Sequence, residues 1–180
     1  MSAGTRLVIP DAGPLISLAK GGAIDVLTLL GLPIVIADQV YFEATRNPDF
    51  DDARRIARFV ETHTDLVEVF TTAVGTAAAQ RRAAGETGRQ KGQGEAAMAE
   101  LLARLDEVTG DAETPVLVLF EDSDILKSTF VLPANAHLIS TRALLDGLEL
   151  SGRIKSADAI WREIERAGRA PFSGRVDGRP

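Results

Sequence analysis

Short continuous apolar runs alternate with amphipathic stretches along this chain. Leu7-Val8-Ile9 is the first such run, and Pro10-Asp11-Ala12-Gly13-Pro14 stops it, which predicts a buried strand leading into a turn. Pro14 suits a helix start, and Leu15, Ile16, Leu18 and Ala19 continue a short apolar helix to Lys20, ended by Gly21-Gly22. Ile24–Leu30 predicts a second short helix stopped by Gly31. Residues 33–37 predict the next strand, with Asp38 as the N-cap of a helix over residues 39–46. Asn47-Pro48 breaks that helix. Residues 49–63 restart it with Ile56, Phe59 and Val60 on one face, flanked by Arg54, Arg55 and Arg58. Residues 66–70 alternate as Leu-Val-Glu-Val-Phe, the pattern of an edge strand.

Residues 71–92 are rich in Ala, Gly, Arg and Gln and predict a helix over 73–84 followed by a mobile loop through 85–92. A helix is expected from Gly94 to about Val108, a turn at Thr109-Gly110-Asp111, and a strand over residues 115–120. A short helix or turn over 122–127, a strand over 136–139, a helix over 141–150 closed by Gly152, and a last helix capped by Ser156 complete the reading. Alternating strands and helices imply a mostly parallel central sheet with helices on both faces, a three-layer α/β/α sandwich. Residues 1–170 read as one domain and 171–180 as a loose polar tail.

Composition narrows the chemistry. The sequence of 180 residues, 45% hydrophobic and 26% charged, suits one globular domain with a sizeable core. It has no cysteine, which excludes disulfides, thiol nucleophiles and Cys-based zinc or iron–sulfur sites and suits a reducing cytoplasm. Met1 to Arg6 lack the basic and apolar segments of a signal peptide, and no apolar run is long enough to span a bilayer, so a cytoplasmic protein without membrane contact is expected. The net charge of −6 is the opposite of what phosphate neutralisation favours. Any RNA contact must then use local basic patches or bound cations.

The acids stand at telling places. Asp11 follows the first strand and Asp122 follows the strand Val116–Phe120, and open α/β sheets bind ligands at the carboxyl ends of their strands. Glu43 lies one turn after Val40 on its helix, and Glu95 begins a helix behind Lys91-Gly92-Gln93-Gly94, a lead that permits close backbone approach. Asp124 is within reach of the same place. Carboxylate oxygens are hard ligands for Mg²⁺ or Mn²⁺, and clustered carboxylates repel one another unless protonated or bridged by a cation. Each acid also has an ordinary structural role open to it, capping for Asp11 and Asp122, a helix face for Glu43, and the helix dipole for Glu95.

Around these acids the sequence resembles the PIN domain family, VapC-like toxin ribonucleases in particular, over residues 7–164. Four stretches carry the resemblance: residues 8–20 with Asp11; residues 37–45 with Glu43; Gly94-Glu95-Ala96-Ala97; and residues 116–124, followed by 138–145 and Gly152-Arg153-Ile154. The resemblance implies a three-layer α/β/α fold and endonuclease action on RNA dependent on Mg²⁺ or Mn²⁺. It also implies a small antitoxin protein as partner. The implied catalytic set is Asp11, Glu43, Glu95 and Asp122, with Asp11, Glu95, Asp122 and Asp124 as metal ligands. Whether Asp122 or Asp124 is the main ligand, whether one or two ions bind, and whether the chain forms a homodimer stay open. Gln93 stands where many relatives carry a further acid.

Ser17 and Thr141 are candidates to position water or a phosphate, with helix packing as the alternative. Arg81, Arg82, Arg89 and Lys91 form the best local basic patch for RNA, and Arg142 is a further candidate. His63 and His137 lack metal-binding spacing, and Trp161 is expected to pack the last helix. Two rival readings share the fold: a phosphoacceptor signalling domain, which wants an acid pair where Asp11 stands alone, and a non-catalytic PIN-like binding module.

Overall fold

The computed structural model describes residues 7–86, 92–111, 113–121 and 132–169. Expectations for the loop at 87–91, the turn at 122–127 and the tail at 171–180 lie outside these residues.

The apolar runs form five parallel strands, β1 (Leu7–Pro10), β2 (Ile34–Ala37), β3 (Val67–Phe70), β4 (Val116–Phe120) and β5 (Ala136–Ser140), in the order β3-β2-β1-β4-β5. Helices flank this sheet, giving the expected three-layer α/β/α sandwich: α1 (Ala12–Lys20), α2 (Asp38–Thr45), α3 (Asp51–Thr62), α4 (Ala73–Ala83), α5 (Gln93–Ala103), α6 (Leu105–Thr109), α7 (Thr141–Leu150) and α8 (Ala157–Arg166). The central strands β1 and β2 are buried along their whole length, as continuous apolar runs covered on both faces must be. The edge strand β3 keeps the alternation read from its sequence, with Val67 buried and Glu68 exposed.

The core gathers Ile9, Leu15, Leu18, Ile36, Met98, Leu101, Leu119 and Leu145 around the sheet. Helix α1 packs against α3 and α8, α2 against α5, and α7 against α8. Trp161 is buried in α8 and its indole N–H donates to Glu165 at 2.9 Å, the packing role expected of it.

The short helix expected over Ile24–Leu30 is present as a 3₁₀ helix ended by Gly31 in the left-handed conformation. Two local expectations need correction. The helix expected from Gly94 to Val108 is broken at Arg104, whose amide donates to Leu101 three residues back. No Gly or Pro marks the break; the Arg104 guanidinium pairs with Glu100 at 3.0 Å and Glu107 at 2.6 Å across it. Asp38 is the first residue of α2 rather than its N-cap. Its carboxylate accepts the Gln39 amide at 2.8 Å, the Thr72 amide at 3.1 Å and the Thr72 hydroxyl at 2.7 Å, tying α2 to the residue that caps α4.

No single helix among the described residues is long and apolar enough to cross a membrane, and the one bent pair that passes by length and composition, α1 with the 3₁₀ helix, lies largely in the core.

Candidate functional site

The strand order fixes where a ligand can sit. From β1 the chain moves to β2 and β3 on one side, then crosses to β4 on the other, so the order reverses between β1 and β4. Crevices at such switch points, at the carboxyl ends of the strands, are the natural ligand sites of open α/β sheets. The register places Pro10 beside Leu119 and Phe120 beside Ser140. The residues just past these strand ends are Asp11, Glu121 and Thr141.

Asp11 occupies the N-cap position of α1, but its carboxylate makes no side-chain capping hydrogen bond across the first turn. Its backbone is pinned instead, the amide donating to the Leu119 carbonyl at 2.9 Å. Burial pushes its pKa up from 3.8 to about 6; a backbone hydrogen bond at Ala12 opposes this, and the negative charges of Glu43, Glu95 and Glu121 add to it. Three acids remote in sequence therefore act on one carboxyl group.

Glu43 is held from two sides. Its Oε1 accepts the Gly94 amide at 3.0 Å and the Gln39 side-chain amide at 3.2 Å. Gln39 is in turn bonded by Arg82 at 3.2 Å, and the Arg82 guanidinium lies 3.6 Å from the centre of the Phe42 ring. A Cβ at position 94 would stand 2.7 Å from Glu43 Oε2, so glycine is what allows α5 to approach this close. Glu95 projects from the first turn of α5 and is exposed.

Glu121 was passed over in favour of Asp122 and Asp124, and the structure places it at the carboxyl end of β4. Phe120 is the last residue of β4, so Glu121 is the first acid beyond the strand, matching Asp11 beyond β1. It is buried and its oxygens are filled: Oε1 accepts the Thr141 hydroxyl at 2.7 Å, and Oε2 accepts the Ser17 hydroxyl at 2.6 Å and Arg169 Nη2 at 3.0 Å. Asp122 and Asp124 lie outside the described residues. Ser17 and Thr141 are fully buried, so their hydroxyls serve this carboxylate rather than an open surface.

The remaining candidates are dispersed. Arg82 belongs to the Glu43 network, and Arg81 is half-buried beside it on α4. Arg142 pairs with Asp146 at 3.0 Å and Asp158 at 2.5 Å, and stacks 5.6 Å from the Trp161 ring centre, so its charge is engaged by α7 and α8. Arg89 and Lys91 lie outside the described residues. His63 bonds the Phe59 carbonyl at 2.9 Å and packs on its ring, while His137 is exposed on β5.

In donor type and charge, the oxygen set of Asp11, Glu43 and Glu95 fits a hard divalent cation, and the repulsion felt by Asp11 is what such an ion relieves. In spacing, no three acids or histidines among the described residues stand together as a complete ligand set. No family model, curated protein or solved structure matches the chain.

Proposed function

We propose that this chain is a divalent-metal-dependent endoribonuclease of the PIN type, working at the β1/β4 switch point. The observation that carries the reading is the state of Asp11, a carboxyl group at a strand end whose proton affinity is raised by burial and by Glu43, Glu95 and Glu121 together. A carboxyl perturbed in this way at a strand end is a candidate for chemistry.

Asp11, Glu43 and Glu95 are the side chains that would hold Mg²⁺ or Mn²⁺. Such an ion supplies Lewis acidity toward water and offsets charge on a phosphodiester. The protein's own contribution is positional. Pairing of β1 with β4 sets Asp11, the Gly94 amide and Gln39 orient Glu43, and the hydroxyls of Ser17 and Thr141 with Arg169 fix Glu121. The cleft is negative, so RNA contact falls to cations on its rim, with Arg81 and Arg82 on α4 the nearest described candidates.

The test is direct. With Mn²⁺ or Mg²⁺ the purified protein cuts single-stranded RNA internally, chelation stops it, and Asp11→Asn lowers cleavage at least ~100-fold with an unchanged circular dichroism spectrum. Cleavage by D11N at the parental rate under matched metal removes the assignment. The same proposal includes a toxin role with a small antitoxin protein covering the cleft. Its signature is growth arrest on expression of the parent and none with D11N.

A further inference from the structure

The two edges of the sheet are guarded differently. At one edge, β3 carries the exposed charge of Glu68. At the other, β5 reads Ala-His-Leu-Ile-Ser, without carboxylate, lysine, arginine or proline, and among the described strands it pairs with β4 alone. Edge strands are commonly blunted by charge, proline or a bulge, because their outer row of N–H and C=O groups is a template for another strand.

The register shows which groups β5 offers. The Val116 amide donates to the Asn135 carbonyl at 3.0 Å. Successive residues of a parallel strand turn their backbone groups to opposite sides, so His137 and Ile139 face β4, and the N–H and C=O of Leu138 face outward. Leu138 is the middle residue of β5. A twofold axis at that point lets two copies of β5 run antiparallel and exchange both Leu138 bonds, while the Ala136 carbonyl of each takes the Ser140 amide of the other.

A stable homodimer buries about 800 Å² on each partner. A strand of five residues cannot supply that by its edge alone. Beside β5 lies a groove of about 730 Å³ whose apolar lining is Leu117, Leu138, Ile139 and Leu150. Leu150 is 92% exposed, against 60% for Phe50 and 40% for Leu29. Leu117 sits beside His137 and shares the groove with Leu150, while Arg142 closely follows Ser140, so α7 runs back along β5. Arg142 lines the groove from the first turn of α7 and Glu149 from the last. The same twofold therefore sets the basic end of the groove in one copy against the acidic end in the other.

We propose that this chain forms a symmetric homodimer through antiparallel pairing of β5 with β5 of a second copy, joining the two five-stranded sheets edge to edge. Leu150 of each copy is seated in the groove between α7 and β5 of the other. The proposal does not rest on the ribonuclease reading above.

The experiment is sedimentation equilibrium of the full chain at micromolar concentration, comparing the parent with Leu150→Lys and Phe50→Lys, each checked for folding by circular dichroism. The parent should sediment as a dimer. L150K replaces an exposed side chain that only the dimer buries, and should weaken association at least ~10-fold. F50K, an exposed apolar residue outside the groove, should stay within about twofold of the parent. Cross-linking then reads the register. The sequence has no cysteine, so a disulfide in a single-cysteine variant can only join two copies. Opposed Leu138 positions would have Cα atoms about 5.5 Å apart, within the span of a disulfide. On mild oxidation Leu138→Cys should give a covalent dimer, and Glu68→Cys on β3 should not. A monomeric parent, or a dimer indifferent to L150K, overturns the proposal. So does cross-linking by E68C in preference to a folded L138C, or a folded L138C that dimerises without cross-linking. If L138C does not fold, L150K against F50K decides alone.

Discussion

Asp11 and Glu121 begin from the same local grammar and end in opposite chemical states. Each is the first residue after a buried parallel strand, and the two strands are neighbours. Glu121 receives two hydroxyls and a guanidinium, so its charge is compensated where it stands. Asp11 receives far less. Its backbone is anchored, but its carboxylate meets burial and three like charges, which carry its pKa to about 6. The difference shows that the position of an acid at a strand end selects the cleft, while the donors around it decide between a fixed structural anion and a group poised to take up a proton or a cation.

The comparison can be broken most forcefully at Glu121. Glu121→Ala removes the acceptor for three buried or half-buried donors, and loss of one member of a buried ion pair costs about 3–5 kcal/mol. Urea unfolding of E121A should show a loss of that size; a loss below about 1 kcal/mol would mean that the anion is not structurally compensated. Asp11→Asn should have the opposite sign. Removing a carboxylate whose ionisation is disfavoured in the fold should raise stability at pH 7 by about 1–2 kcal/mol, while it abolishes metal-dependent cleavage.

The pH dependence follows from the direction of the same shift. The pKa of Asp11 is higher in the folded state than the 3.8 of the free group, so the folded protein binds the proton more tightly than the unfolded chain. The stability conferred by that proton is complete below about pH 4 and is lost as pH rises through about 6. The stability gap between D11N and the parent should therefore open between these values and level off above them. A gap that is constant from pH 4 to pH 7 would assign the effect to packing instead. A smaller change is expected from Gly94→Ala, whose Cβ would displace Glu43: Mn²⁺ binding should weaken several-fold, with folding stability altered by about 1 kcal/mol or less. Smallest of all, Arg142→Gln breaks ion pairs with partly exposed partners on α7 and α8 and should cost about 0.5 kcal/mol, with cleavage within twofold of the parent.

The layers of the fold were legible because β1, β2 and β4 are continuous apolar runs bounded by turn residues, and β3 shows the alternation of an edge strand. Asp11 and Glu95 could be singled out for a related reason, since each sits at the entrance of a helix that follows a strand or a glycine lead, whereas Glu43 lies in the last turn of α2. Glu121 was obscured by Asp122 and Asp124 immediately after it. Register would have separated them, since the residue following the last paired position, Phe120 beside Ser140, necessarily lies next to Thr141. Arg169 gave no local signal. Its partners are Ser17 and Glu121, and contacts that remote depend on how α8 packs against α1, which periodicity does not encode. The break at Arg104 was hidden because no glycine or proline marks it.

Among the described strands β1 comes first in the chain, yet its second neighbour, β4, follows only after β2 and β3. During synthesis β1, β2 and β3 can pair on the ribosome while β4 is still unmade, leaving one side of β1 without its neighbour. Nascent chains thus display Asp11 and Glu43 for a long interval in a half-built sheet, with an open edge and no opposing acid. Only when α8 emerges and Arg169 folds back does Glu121 gain its cationic partner, so the order of translation delays that pairing until α8 has been made.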